Sequence, residues 1–311
     1  MPIDPSAQAV LDMLTAPGVP PLESLPPAEA RAAYEGMSAL AGEPETVART
    51  EDLDAGGVPV RVYWPLGAGR ESRPVMVWIH GGGFTMGSID GYDPLTRALC
   101  ARTGCLVVSV GYRLAPEHPY PAQIDDVLTA ARWVQTNIDQ HGGDPKRMVV
   151  AGDSAGGALS AVAGIQLHGT FLLQVLLYPT TDLTLSQPSM DENGKGYLLT
   201  RAGCEHFRAN LGDDLDYADP RISPLFASQE RLAGAPPALI LTAEFDPLRD
   251  EGEAYGARLI EAGVPAEVVR FDGMIHAFYA LGAMIPAAGR ARDLVVAAVQ
   301  EATRRPDPAV G

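Results

Sequence analysis

The sequence is poor in lysine, and its net charge is strongly negative. Lys146 and Lys195 are the only lysines in 311 residues, and the formal net charge at pH 7 is −16. A surface of that sign repels phosphate backbones and anionic lipids. We therefore expect no nucleic-acid partner and no membrane partner.

Cysteines are equally scarce. Cys100, Cys105 and Cys204 make an odd number and include no C-x-x-C pair. That arrangement indicates neither a disulfide framework nor a zinc site. We expect three reduced thiols, mostly buried, as is typical of cytoplasmic proteins.

Long hydrophobic runs are missing as well. No stretch reaches the roughly 18 apolar residues of a membrane-spanning helix. Residues 1–20 contain neither the basic n-region nor the apolar h-region of a signal peptide. The apolar fraction of 46% and the charged fraction of 20% are typical of a globular protein. These features predict a cytoplasmic protein of one large domain or two modest ones.

From residue 74 onward, short apolar runs alternate with helical patterns. The runs are rich in β-branched residues and cover 74–80, 105–112, 147–153, 174–180, 237–246 and 266–273. The helical patterns cover 121–141, 155–168, 252–263 and 287–305. Near-continuous apolar strands are typical of a parallel sheet with helices on both faces. The sequence thus predicts an α/β fold, preceded by an antiparallel hairpin at 47–54 and 58–65.

The interval 181–236 interrupts this alternation. It is polar and irregular, and it is far longer than a crossover between neighbouring strands needs. Intervals of that length usually form functional elements, so we interpret it as a lid or cap. The alternative is a decorative surface insertion.

One serine lies between two glycines directly after an apolar run. Residues 151–157 read AGDSAGG, so Gly152, Ser154 and Gly156 form a G-x-S-x-G pattern. In a nucleophile elbow the serine occupies a strained strand-to-helix turn, where larger residues two places to either side would clash. The pattern alone also describes a glycine-rich turn. Its place between an apolar run and a small-residue helix favours Ser154 as a nucleophile, with the Ala155 backbone N–H as an oxyanion donor.

A second glycine-rich segment offers further oxyanion donors. Residues 80–84 read HGGGF and follow the run that ends near residue 79. Successive glycines allow the backbone to approach an oxyanion closely and to direct N–H groups at it. Such a triplet can also be a flexible turn, but its place in a loop after an earlier strand favours a second donor.

A serine nucleophile needs a histidine base and an orienting carboxylate, in the chain order serine, acid, histidine. Of six histidines, His276 alone follows the last plausible acid. We favour Asp246 as the acid because it begins a turn before Pro247 at the end of a predicted strand. Asp182 is its rival from the preceding strand. The other carboxylates considered are Glu244, Asp250, Glu251 and Asp272, the last being disfavoured by its closeness to His276 in sequence.

Two further motif positions are interpreted as structural. Asp153 has no obvious catalytic task, and we expect it to hold the elbow through hydrogen bonds to neighbouring loops. Arg113 and Glu117 are expected to form a structural ion pair rather than to bind substrate.

These segments together resemble the bacterial hormone-sensitive-lipase family of α/β-hydrolase esterases. The matching segments span most of residues 46–302 and are HGGGF (80–84), YRLAPEHPYPA (112–122), GDSAGG (152–157), DPLRDEG (246–252) and GMIHAF (273–278). The resemblance implies the α/β-hydrolase fold, with an eight-stranded and mostly parallel sheet and a small helical cap. It implies Ser154, Asp246 and His276 as the catalytic triad. It implies the backbone N–H groups of Gly82, Gly83 and Ala155 as the oxyanion hole.

The resemblance also implies how the chain is divided. Residues 1–45 would form N-terminal cap helices, 46–180 the first part of the hydrolase core, 181–236 a cap insertion and connection, and 237–311 the second part of the core. The two N-terminal helices carry apolar stripes that must be buried. They either cover the active site with the insertion or pack on the core for stability alone. The stripes consist of Val10, Leu11 and Leu14, and of Ala33, Tyr34 and Met37.

The expected activity is hydrolysis of small-molecule esters with short acyl chains. Two alternatives are a serine amidase or peptidase on the same fold and a hydrolase-like receptor without turnover, as in the gibberellin receptors. The presence of His276 disfavours the receptor, and the chain has no room for the extra domain that peptidases usually carry. Neither a metal nor an organic cofactor is implied, because the triad supplies nucleophile, base and electrostatics. By analogy, the edge of the final strand could pair two copies into a homodimer.

Overall fold

The computed structural model describes residues 2–67 and 72–304. Met1, residues 68–71 and residues 305–311, which the predicted divisions include, lie outside the described residues. Within the described ranges, eight strands form one sheet: β1 (Arg49–Asp54), β2 (Pro59–Trp64), β3 (Arg73–Ile79), β4 (Leu106–Val110), β5 (Gly143–Asp153), β6 (Phe171–Leu177), β7 (Ala238–Phe245) and β8 (Ala266–Ile275).

The strands are arranged in the order β1-β2-β4-β3-β5-β6-β7-β8. Strand β2 is antiparallel to both of its neighbours, and every other neighbouring pair is parallel. The predicted hairpin is the β1–β2 pair. The prediction of an eight-stranded, mostly parallel sheet is confirmed.

Ten α-helices lie in the described residues: α1 (Pro5–Leu14), α2 (Pro27–Gly36), α3 (Asp93–Thr103), α4 (Ala122–Asn137), α5 (Ala155–Gln166), α6 (Pro188–Glu192), α7 (Arg201–Ala209), α8 (Gln229–Leu232), α9 (Arg249–Glu261) and α10 (Ala287–Ala302). Sequence patterns missed α3. Its signals were present, since Pro94 occupies the first turn and Gly104 ends the helix in the left-handed conformation with φ 72°. None of the helices in this part of the chain is long and apolar enough to cross a bilayer.

Alternating residues of the central strands point to opposite faces of the sheet and join separate cores. On one face, Val149 and Ala151 of β5 pack in a core shared with α3 and α10. On the other face, Met148 and Val150 pack in a core shared with α4 and α5. Helices therefore cover both faces, which explains why the central strands are apolar almost without interruption.

The two N-terminal helices pack differently. In α1, Ala7, Val10 and Leu11 are buried in the same core as α3 and α10. The backbone N–H of Asp4 donates to the carbonyl of Gly273 in β8, at 3.0 Å. Helix α2 has a single buried residue, Ala30. Helix α1 is therefore part of the core, whereas α2 lies at its surface.

The three cysteines are free and buried, as predicted. Burial raises the pKa of Cys100 to about 12 and that of Cys105 to about 11. Both thiols are therefore protonated at neutral pH and pack as small apolar groups.

Candidate active site

Four strands deliver the predicted site to one edge of the sheet. Strands β3, β5, β7 and β8 are parallel and end directly before His80, Ser154, Asp246 and His276. The carboxyl ends of parallel strands lie at the same edge, where α/β proteins bind their ligands. Residues far apart in sequence therefore converge there.

Ser154 occupies a strained turn between β5 and α5. Its backbone has φ 53° and ψ −119°, a conformation that residues other than glycine rarely adopt. A Cβ atom on Gly156 would lie 2.1 Å from the carbonyl oxygen of Ile79, and one on Gly152 would lie 2.5 Å from that of Gly156. The two glycines are therefore required for the turn to pack against β3.

His276 lies between Ser154 and Asp246. Its Nε2 is 3.0 Å from Oγ of Ser154, and its Nδ1 is 2.8 Å from Oδ2 of Asp246. The other carboxylate oxygen of Asp246 accepts the backbone N–H of Leu248 at 2.9 Å. With Nδ1 protonated and donating to the carboxylate, Nε2 is left as an acceptor for the serine hydroxyl. The structure thus brings together the three residues predicted as a triad.

The rival carboxylates make other contacts. Asp182 is fully buried, but its oxygens accept hydrogen bonds from Thr184 and Ser186 within its own turn. Glu251 accepts the backbone N–H groups of Thr181 and Asp182, and burial raises its pKa well above the usual range. Asp250 pairs with Arg249, Glu244 accepts the N–H of Gly273, and Asp272 is exposed. None of these contacts orients His276.

We define the glycine-rich loop as residues 80–88. Gly82 and Gly83 adopt φ 112° and φ 60°, and both line the same cavity as Ser154 and His276. A Cβ atom on Gly82 would lie 2.4 Å from the carbonyl oxygen of Met86, so no larger residue fits. Among the described residues, no hydrogen bond is found from the backbone N–H groups of Gly82, Gly83 or Ala155. These three donors are free to bind an anion at the site.

Asp153 links the elbow to the glycine-rich loop. Its Oδ1 accepts the backbone N–H of Gly81 at 2.8 Å, and its Oδ2 accepts the hydroxyl of Tyr92 at 3.0 Å. Burial raises the pKa of Asp153 to about 6, against the opposing effect of these two hydrogen bonds. The contacts match the structural task predicted for this residue.

The predicted pair of Arg113 with Glu117 is wrong. Arg113 pairs with Asp126 on α4 at 2.7 Å, while Glu117 is bound by Arg31 from helix α2. The four-residue spacing suggested proximity, but residues 111–117 form no helix that would bring the two side chains together. Sequence reasoning missed the pairing of Arg31 with Glu117 because the two residues are 86 positions apart and no local pattern predicts such a contact.

A cavity of about 320 Å³ opens from Ser154 and His276. Most of its walls come from the N-terminal segment and from the interval 181–236. The larger aliphatic and phenyl side chains that these two segments contribute are Leu14, Val19, Leu22, Leu25, Met37, Leu183, Leu185, Leu198, Leu199 and Phe207. Leu14, Ala33, Tyr34 and Met37 of the predicted stripes line it, whereas Val10 and Leu11 lie in the core. Among the described residues, no group of three or more His, Cys, Asp or Glu side chains could hold a metal ion.

A family model for the α/β-hydrolase fold matches residues 76–280. Carboxylesterase NlhH of Mycobacterium tuberculosis is 44% identical over 251 residues, which cover 79% of this chain and 78% of that protein. Ethyl acetate hydrolase of Pseudomonas putida is 36% identical over 322 aligned positions and covers 97% of this chain and 99% of its own length.

The fold has solved counterparts. The crystal structure of a thermostable esterase from Pseudomonas putida matches with a TM-score of 0.92 at 33% sequence identity. The match covers 98% of this chain and 99% of that one. The similarity therefore includes the segments that line the cavity as well as the sheet.

Proposed function

Since the chain belongs to the α/β-hydrolase family, among esterases of the bacterial hormone-sensitive-lipase type, we propose that it is a serine carboxylesterase acting on short-to-medium acyl-chain esters. The observation that carries the proposal is the position of His276, which contacts Ser154 at 3.0 Å and Asp246 at 2.8 Å. Ser154 and His276 line an apolar cavity together with Gly82 and Gly83, whose backbone N–H groups have no hydrogen-bond acceptor among the described residues. An ester carbonyl seated there meets a nucleophile, a base and oxyanion donors together.

The reaction then runs in two halves. Oγ of Ser154 attacks the ester carbonyl while Nε2 of His276 takes the hydroxyl proton. The N–H groups of Gly82, Gly83 and Ala155 stabilise the tetrahedral oxyanion. The intermediate collapses to an acyl-enzyme, and the alcohol leaves with the proton from His276. Water, activated by the same histidine, then releases the acid and restores the serine.

Asp246 is assigned the orienting role. Its carboxylate is fully buried and accepts hydrogen bonds from His276 and from the backbone of Leu248. A carboxylate so held fixes the imidazole tautomer and stabilises the imidazolium formed during each half-reaction.

The cavity supports a preference for compact acyl groups. We assign its walls to a cap built from residues 1–45 and from part of 181–236. Both wall segments line the cavity that contains Ser154, and its volume of about 320 Å³ suits a compact acyl group. Butyrate- to hexanoate-sized acyl groups should give the highest kcat/KM, and long-chain emulsions should give no increase in activity.

Replacing Ser154 tests the proposal. Ser154→Ala should lower kcat on a short nitrophenyl ester by roughly 10⁴-fold, because triad members act as a unit. Ser160→Ala is the matched control, since this buried serine lies in helix α5, which follows Ser154, and donates its hydroxyl to the carbonyl of Gly156. A phosphonate ester should label Ser154 alone.

Two results would contradict the proposal. A Ser154→Ala variant that keeps its activity would exclude the serine mechanism. A higher kcat/KM on a matched anilide than on the ester would assign the protein as an amidase instead.

A further inference from the structure

Three residues on one face of α2 are linked to the glycine-rich loop, two by direct contacts and one through other side chains. Tyr34 and Glu35 follow Arg31 by three and four positions, so both side chains lie on the same side of the helix as Arg31. Nε of Arg31 donates to the carbonyl of Thr85 at 2.9 Å. The carboxylate of Glu35 accepts the hydroxyl of Ser88 at 2.6 Å. These two contacts hold the second half of the loop.

Tyr34 reaches the first half of the loop through two intermediates. Its hydroxyl oxygen is 2.8 Å from that of Tyr92, which donates its proton to Asp153. Tyr34 is therefore the donor in the tyrosine pair. Asp153 in turn accepts the backbone N–H of Gly81 at 2.8 Å. Burial raises the pKa of Tyr92 well above its usual range, so its hydroxyl keeps the proton that this chain of contacts requires.

Arg31 also fastens α2 to the hydrolase core. Its guanidinium donates to the carbonyl of Ala115 at 3.0 Å and pairs with Glu117. The backbone N–H of Ala115 donates to the carbonyl of Phe84, also at 3.0 Å. The arginine thus binds one carbonyl inside the glycine-rich loop, that of Thr85, and one outside it, that of Ala115, whose own N–H holds Phe84.

The loop needs such support. Gly82, Gly83 and Phe84 have positive φ angles of 112°, 60° and 64°. Left-handed backbone, above all at Phe84, persists only when surrounding contacts hold it. Oxyanion donors act only within a narrow distance of the developing charge, and displacements of about 1 Å can cost roughly 10²-fold in rate.

We propose that α2 is a brace that positions the oxyanion donors, and that Arg31, Tyr34 and Glu35 are positioning residues for the reaction. The inference rests on the proposed function in one respect, namely that Gly82 and Gly83 donate to an oxyanion. It gives an N-terminal helix a part in the rate of the chemical step as well as in the shape of the cavity.

Tyr34→Phe tests the brace with the smallest change, since it removes one hydroxyl and keeps the ring in the cavity wall. We expect kcat to fall about three- to tenfold with KM within about twofold, because a displaced donor is felt in the transition state. Tyr197→Phe calibrates the measurement. It removes a hydroxyl from the same cavity but outside the brace.

Arg31→Met enlarges the effect. We expect kcat to fall about ten- to a hundredfold, approaching the loss of one oxyanion donor. A trifluoromethyl ketone, which Ser154 converts to a tetrahedral oxyanion, should bind more weakly by the same factor as kcat falls. Amide hydrogen exchange in peptides covering residues 80–88 should be faster in both variants than in the unmodified protein.

The outcomes separate the two proposals. If Tyr34→Phe lowers kcat no more than Tyr197→Phe, and exchange in residues 80–88 is unchanged in Arg31→Met, the brace is wrong. If Ser154→Ala keeps its activity, the proposed function fails, while the exchange measurement still reports whether α2 holds the loop.

Discussion

The floor and the walls of the cavity are built by different means. The floor consists of Ser154, His276 and the glycine-rich loop, each placed where a parallel strand ends. The walls come from two segments far apart in sequence, joined by side-chain contacts such as Thr200 to Glu23 at 3.2 Å. Strand pairing therefore places the residues of the proposed reaction, whereas helix docking shapes the cavity above them.

The sharpest test of this difference concerns two buried aspartates. Asp246→Asn should lower kcat by roughly 10³- to 10⁴-fold, because an asparagine disturbs the tautomer of His276. Asp182→Asn should change kcat less than about tenfold, because the Asp182 carboxylate accepts hydrogen bonds from Thr184, Ser186 and Gln187 and makes none with His276. Steady-state kinetics on a short ester measure both effects. The reverse ranking would move the acid to Asp182.

The second test divides the N-terminal segment into a core part and a wall part. Leu11→Ala should lower the free energy of unfolding by about 2–5 kcal/mol, because Leu11 is only 4% exposed within the main core. Its kcat should stay near the original value. Met37→Ala should instead change KM and acyl-chain preference with little loss of stability, because this half-buried side chain lines the cavity. Urea unfolding and an acyl-chain series provide the measurements. Equal stability losses in both variants would contradict the division.

The third test measures how much the buried carboxylate of Asp153, next to Ser154, lowers the free energy of unfolding. Burial raises the pKa of Asp153 from 3.8 to about 6. Between these values the folded protein keeps a proton that the unfolded chain has released, so the free energy of unfolding falls as the pH rises. Asparagine does not titrate. The free energy of unfolding of Asp153→Asn, relative to that of the unmodified protein, should therefore increase by about 3 kcal/mol as the pH rises from about 3.5 to 7.

Urea unfolding at several pH values measures this gain. Asp52→Asn provides a control of opposite sign, because Arg61 holds the pKa of that exposed carboxylate below its usual value. The stability of this variant relative to the unmodified protein should fall as the pH rises toward 3.8, the usual pKa of the carboxylate, and stay level at higher pH. A gain for Asp153→Asn that does not depend on pH would show that the buried charge is not the cause.

Most of the floor of the cavity could be predicted from the sequence, but few of the contacts in its walls could. The convergence of Ser154, Asp246 and His276 was predictable, because apolar runs reveal parallel strands and parallel strands end at one edge. The partner of Glu117 was not predictable. That partner depends on where α2 packs on the core. The periodicity of a surface helix does not predict which residues of another segment it will contact. Tyr34 was visible as part of an apolar stripe, but its hydroxyl contact with Tyr92 was not.

The contact between helix α1 and strand β8 has a consequence for synthesis. Helix α1 docks through Asp4 on Gly273 of β8, the strand that also delivers His276. Helix α1 is therefore synthesised long before the strand against which it packs, and Val10 and Leu11 stay exposed until β8 is made. His276 directly follows β8, so under the proposed mechanism the chain has no general base before that point. An unfinished chain is then prone to aggregate and, on the same proposal, unable to cleave esters.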